Sequence, residues 1–240
     1  DNIGSITDQG SAHVYLLTGT IWAFETSLTS VDPTVNSFFG GDVAISFSTV
    51  LVGATGAASG GGNFKGAAYL FAKIVTSWSY LTKLVSTQPS IYKFGGSVSL
   101  DGTTAVVGEW ANTVFPPIVV QGRVNVYNRT NVTSWPLQAI IENPVRTDLH
   151  LFGESIQVSG DVLVVGSLKF TNNDNTYGLD SANVSVFKRA GTTWNFQSNY
   201  FTEYPAGAFG IAVSISGFNA VFGAPLKKAS KGQVYFVNLE

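Results

Sequence analysis

The 240-residue sequence predicts an all-β chain made of four-stranded antiparallel units in series. Three observations predict it. A phrase of two apolar-alternating strands occurs four times, as "FGGDVAISFSTVLVGAT" from Phe39, "FGGSVSLDGTTAVVGEW" from Phe94, "FGESIQVSGDVLVVGSL" from Phe152 and "FGIAVSISGFNAVFGAP" from Phe209. A strictly alternating third strand occurs five times, and a strand headed by Trp occurs four times.

Taken in order, the chain opens on the third strand "GSAHVYLL" and a fourth led by Trp22, and this first unit, residues 1–37, is partial. Complete units follow at 38–93, 94–150 and 151–208, and a partial unit at 209–240 ends on "GQVYFVNL". In every phrase the Phe precedes the closing Gly by the same interval: Phe39 to Gly53, Phe94 to Gly108, Phe152 to Gly166 and Phe209 to Gly223. The phrases themselves start at nearly even steps, from Phe39 to Phe94, Phe152 and Phe209, with a period typical of blades or solenoid turns. Asp101-Gly102 and Ser159-Gly160-Asp161 are the residues that tight hairpins use. In the fourth strands the large residues stand two and six places after the Trp: Phe24 and Leu28, Tyr80 and Leu84, Leu137 and Ile141, Phe196 and Tyr200. Even offsets in a regular strand put all of these on one face.

A four-stranded sheet of this kind cannot cover its own apolar faces, so neighbouring units are expected to stack and bury Val43, Ile45, Val98, Leu100, Ile156, Val158, Val213 and Ile215. The predicted architecture is therefore a β-propeller-like array of about four blades, closed on itself or forming part of a larger propeller.

These residues resemble the FG-GAP repeat: the "FG" opening, the "VFGAP" closure at Phe222 to Pro225, a third strand like "GSAHVY" and a Trp-led fourth. The resemblance covers essentially the whole chain. It is nearest to the calcium-poor repeats of bacterial and protist surface proteins and more distant from those of the integrin α-subunit head. It implies an extracellular or cell-surface propeller used in adhesion or assembly. Only the last repeat keeps "GAP"; the others read "GAT", "GEW" and "GSL". Integrin-type repeats carry an Asp-rich calcium loop between the second and third strands. Here the loop from Thr55 to Lys65 reads "TGAASGGGNFK" and has no carboxylate, so the resemblance implies no calcium in that blade.

The strand inventory is uneven, because both partial units contribute a third strand and one is left over. Such a chain is expected to be a piece of a larger propeller or an open array whose ends pair with neighbouring chains in rings or filaments. Its first residues, "DNIGSITDQG", have neither Met nor a charged-then-apolar leader, as in a processed protein or an excised fragment.

Composition narrows the classes of function. With 45% apolar and 12% charged residues the chain is a packed globule. A net charge of −2 with scattered Lys and Arg offers no grip on nucleic acid. No apolar run approaches the roughly 20 residues of a membrane-spanning helix. With no Cys, thiolate metal sites and disulfides are excluded.

Five local features are candidate sites. In "NNDNTYGLD", Asn172, Asp174, Thr176 and Asp180 present oxygens at spacings that suit a calcium loop, the alternative being a polar hairpin loop. Asn128, Asn131 and Asn183 head glycosylation acceptor patterns. Glu109 beside Trp110 could stack a sugar or be a loop variant. His13 and His150 stand in no triad spacing. "VFPPIVVQG", Val114 to Gly122, is a stiff loop that packs on its own blade or touches a partner. The expected function is that of a surface structural or adhesion protein, not an enzyme and without a cofactor, whose partners are other proteins or copies of itself. The alternative is a carbohydrate-binding propeller whose partners are glycans.

Overall fold

The computed structural model describes residues 2–58, 65–87, 93–110, 122–145, 150–169, 182–201, 208–225 and 231–240. The first unit is a two-stranded sheet of β1 (Ala12–Thr18) and β2 (Ile21–Leu28). Three four-stranded sheets follow: β3 (Phe39–Ser46), β4 (Thr49–Ala54), β5 (Ala67–Ile74) and β6 (Ser77–Leu84); then β7 (Lys93–Asp101), β8 (Thr104–Trp110), β9 (Arg123–Asn128) and β10 (Leu137–Glu142); then β11 (His150–Ser159), β12 (Val162–Lys169), β13 (Asn183–Ala190) and β14 (Thr193–Phe201). The last sheet has three strands, β15 (Val213–Ser216), β16 (Asn219–Ala224) and β17 (Gln233–Asn238). Each sheet is an antiparallel meander in chain order, and no described residue is helical. No described helix is therefore long and apolar enough to cross a membrane.

Four separate cores lie between successive sheets. Ala12, Val14 and Leu28 meet Val50, Val52, Tyr69 and Phe71. Leu51, Leu70 and Leu84 meet Val98, Leu100 and Trp135. Val106, Val126 and Ile141 meet Ile156, Val158 and Trp194, and Val164, Val184 and Val186 meet Phe209, Ile215 and Phe222. Each four-stranded sheet thus presents one face to the sheet before it and the other to the sheet after it, which is why its strands are apolar on both sides.

The repeated Phe-Gly has a geometric cause. Phe39 pairs with Ala54 while Val43 pairs with Val52, so two extra residues bulge out of the first strand, and the same bulge follows Phe94 and Phe152. The bulge drops the Phe ring into the core, where Phe39, Phe94, Phe152 and Phe209 are all buried. It also turns the following Gly to φ between 80° and 89°, pressed against the third strand of the preceding sheet. A Cβ on Gly95 would stand 2.2 Å from the Ala67 carbonyl oxygen. The Gly that closes the second strand of each four-stranded sheet meets the Phe-Gly of the next sheet. A Cβ on Gly53, Gly108 or Gly166 would lie 2.2, 2.2 or 2.1 Å from the carbonyl oxygen of Gly95, Gly153 or Gly210. The constant Phe-to-Gly interval therefore sets the distance between the two backbone contacts of one sheet, one made backward and one forward.

The fourth strands depart from the expected pattern. Every one carries a bulge: Phe24 pairs with Tyr15 but Thr26 with Val14, and equivalent shifts occur at Tyr80/Thr82, Leu137/Ala139 and Phe196/Ser198. The extra residue inverts the alternation, so the Trp and the residue six places on do not share a face. Trp135 and Trp194 pack on the preceding sheet, whereas Leu84 and Ile141 pack on the following one. One bulge thus lets each complete outer strand serve two cores.

Candidate functional site

Equivalent positions at inner and end sheets expose the surfaces that are left for partners. Along the first strands, the residues paired with the second strand at matching register are Val43, Val98, Ile156 and Val213, followed by Ile45, Leu100, Val158 and Ile215. Val98, Leu100, Ile156 and Val158 are buried, but Val43 is 54% and Ile45 62% exposed. The cause is the two-stranded first unit: β1 and β2 pack on β4 and β5 and leave Val43 and Ile45 of β3 uncovered. A cavity of about 750 Å³ occupies the uncovered place, lined by Val43, Ile45, Val50, Val14, Tyr15 and Trp22. The hairpin is held there by Glu25, which pairs with Lys73 and accepts from Trp78 Nε1 at 3.1 Å. The Lys73 and Trp78 hydrogen bonds keep the Glu25 carboxyl below its ordinary range.

The opposite end shows the same effect on the other face. Val124, Val184 and Val234 each pair with the Gly that closes their second strand. Val124 and Val184 are buried, as are Val126 and Val186 two places on, while Val234 is 71% and Phe236 74% exposed. No following sheet covers them among the described residues.

Polar contacts cross each inner junction in a regular series. The turn amides of Gly102, Gly160 and Gly217 donate to Ser46 Oγ at 2.9 Å, Asp101 Oδ2 at 2.6 Å and Ser159 Oγ at 3.1 Å in the preceding sheet. Nearer the axis, Asp42 accepts from the Val98 amide at 2.7 Å, and the hydroxyls of Ser97 and Ser155 donate to the carbonyls of Gly153 and Gly210 at 2.6 and 2.5 Å. These bonds fix register between sheets that share no ladder.

The first strands also line an axial cavity of about 450 Å³ with Asp42, Ser97, Glu154, Ser155 and Gln157 on its wall. Burial pushes the Glu154 carboxyl up to about 7, and its Oε2 is enclosed without a hydrogen-bond partner. Burial also raises Asp42, although the Val98 and Val43 amides oppose it.

The residues singled out in the sequence fare differently. Asn172, Asp174, Thr176 and Asp180 lie outside the described residues, as does most of Val114 to Gly122. Among the described residues no group of three or more His, Asp or Glu could hold a metal ion. Asn128 ends β9 and is half-buried; Asn131 is exposed in the turn that follows. Asn183 is fully buried and its Nδ2 donates to Ser185 Oγ at 3.1 Å, so this acceptor pattern is corrected to a core position with no room for a glycan. Glu109 is also fully buried, accepting from Ser86 Oγ and from Asn125 Nδ2 at 3.0 Å with Arg123 Nε 3.7 Å away, which removes it as a sugar-stacking group. His13 bridges the hydroxyls of Ser11 and Ser27, and His150 opens β11. The exposed ends and the axial cavity were missed at their particular residues. The leftover third strand was the one signal of bare ends, and nothing in the spacing marks Glu154.

A family model of the FG-GAP repeat matches residues 22–71. No curated protein matches the sequence. Among solved structures, a GH32 β-fructofuranosidase of Bombyx mori, in complex with sucrose, is similar over 82% of this chain with 10% identity and a TM-score of 0.45. This chain spans 46% of its length. A periplasmic gluconolactonase of Pseudomonas aeruginosa is similar over 98% of this chain and 81% of its own, with 15% identity and a TM-score of 0.42. Both likenesses concern fold alone. Both proteins are enzymes, and this corrects the expectation that the chain is not one: the fold class includes catalysts, so the architecture gives that exclusion no support.

Proposed function

We propose that this FG-GAP repeat chain is a structural or adhesion module of an extracellular or cell surface, which holds protein partners or further copies of itself on the stacking faces of its end sheets. The supporting observation is the contrast at matching register: Val234 and Phe236 stand in water where Val184 and Val186 are buried, and Val43 and Ile45 where Val98 and Leu100 are buried. These are faces of a kind the chain already packs four times, so a β-blade is the complementary shape. Burying them removes apolar surface worth about 25 cal/mol per Å². Repeat-built surfaces of this sort serve recognition more readily than a single pocket does.

The test is the mass of the 240-residue chain by sedimentation as concentration rises. Association is expected, and it is lost in Val234→Asp/Phe236→Asp and in Val43→Asp/Ile45→Asp while each variant keeps its unfolding transition. A chain that stays monomeric and captures no blade-bearing partner through these faces would sink the proposal.

A further inference from the structure

Two hairpin tips of the β3–β6 sheet lack the positive-φ glycine that matching tight turns elsewhere in the chain use. Where the first hairpin turns, three sheets have Gly102, Gly160 and Gly217 with positive φ; this sheet has Phe47 at φ 52°. Where the third and fourth strands turn, Gly19 and Gly191 both have φ 64°, but Val75 takes φ 58°. The left-handed region is costly for any residue with a Cβ and most of all for a β-branched one. Both side chains are 92% exposed, so no packing contact offsets the strain. Strain held at an exposed site points to use.

The tips stand together. The Lys73 amide donates to the Ser48 carbonyl at 2.8 Å and sets the two turns side by side. In a four-stranded meander these turns share one rim, and the β1–β2 tip lies on the same rim of the neighbouring unit, with Ile21 70% exposed. The three tips read Thr18-Gly19-Thr20-Ile21, Ser46-Phe47-Ser48-Thr49 and Ile74-Val75-Thr76-Ser77, without one charged residue. The same rim in the next two sheets carries Asp101, Arg129, Asp161 and Arg189, the last two paired at 2.7 Å.

We infer that this rim docks on an uncharged lipid surface, with Phe47 and Val75 entering the boundary between headgroups and acyl chains. The shape favours lipid over protein. The fingers are convex, and neither lines any described cavity, so a protein partner would have to supply a separate pocket for each. A lipid surface yields to both. Trp22, exposed beside Ile21, has the amphipathic ring that suits the interface. The absence of Lys and Arg from the tips selects zwitterionic over anionic headgroups.

The experiment is flotation of the 240-residue chain with phosphatidylcholine vesicles, beside Phe47→Gly/Val75→Gly, which installs the residue that the sister hairpins use. The wild-type chain is expected to rise with the vesicles, in low salt and in about 0.5 M salt alike, since no ion pair is screened. The variant is expected to lose at least about tenfold in bound fraction and to keep or raise its unfolding midpoint, so that misfolding is not the cause. Failure of the wild type to float, equal flotation of the variant, or flotation that requires phosphatidylserine would each overturn the inference. So would lipid-free self-association that the variant abolishes, which would give the fingers to a protein contact.

Discussion

Gly108 and Gly223 hold the same place in the repeat. A methyl group on Gly108 would meet the Gly153 carbonyl oxygen at 2.2 Å and Ser97 Oγ at 2.1 Å, whereas on Gly223 it would find nothing closer than 3.7 Å. The same contrast separates Leu100, buried, from Ile45, 62% exposed. What differs is the neighbour. Each repeat carries the full equipment for a junction on both sides, and only the presence of an adjoining sheet turns that equipment into stability.

The sharpest way to break this comparison is Gly108→Ala against Gly223→Ala. The first forces a methyl group into a backbone contact that has no free volume and is expected to cost about 3 kcal/mol. The second is expected to stay within about 0.5 kcal/mol. Urea unfolding of the two variants reads the difference, and equal losses would mean that the inner junction is looser than the structure shows.

Leu100→Ala against Ile45→Ala extends the test to side chains. Truncation in the core between the β3–β6 and β7–β10 sheets is expected to cost about 3 kcal/mol, and truncation at the bare face less than about 1 kcal/mol. If sheets stack on the Ile45 face at higher protein concentration, its cost rises with concentration and that of Leu100 does not.

A third and smaller effect is pH dependent. Burial raises the Glu154 carboxyl to about 7 in the folded chain from an ordinary 4.5, so the folded state binds its proton more tightly than the unfolded one. That contribution is fully present below about pH 4.5 and is lost as pH rises toward 7. It amounts to about 2 kcal/mol, less than the full shift implies because the carboxyl is only partly buried. Glu154→Gln is expected to flatten the stability profile over this window. An unchanged slope would mean that water reaches Oε2 through the axial cavity.

Much of the sheet architecture was legible because it rests on local chemistry. Alternation marks half-buried strands, Gly and Asp mark turns, and a Phe-to-Gly interval that never varies among the four phrases signals a backbone contact repeated in space. The fourth strands were misread because a one-residue bulge leaves no mark on the alternation; Glu25, Leu81, Gln138 and Gln197 share no chemistry that announces it. The acceptor pattern at Asn183 and the acid-aromatic pair at Glu109 suggested accessible groups, and only the packed neighbours show that both side chains are buried. Nothing in the sequence marks Phe47 and Val75. Their interest lies in φ, which sequence does not display.

By itself the sequence determined the β class, the four-stranded period, the resemblance to FG-GAP repeats and the residues able to fill cores, since these follow from side-chain chemistry and spacing along one strand. The tertiary structure alone decided which of those residues are buried, which acids lose their water and which turns are strained. These depend on what stands across a junction one full repeat away along the chain, and a repeat that is nearly identical in its core positions cannot encode whether its neighbour is there.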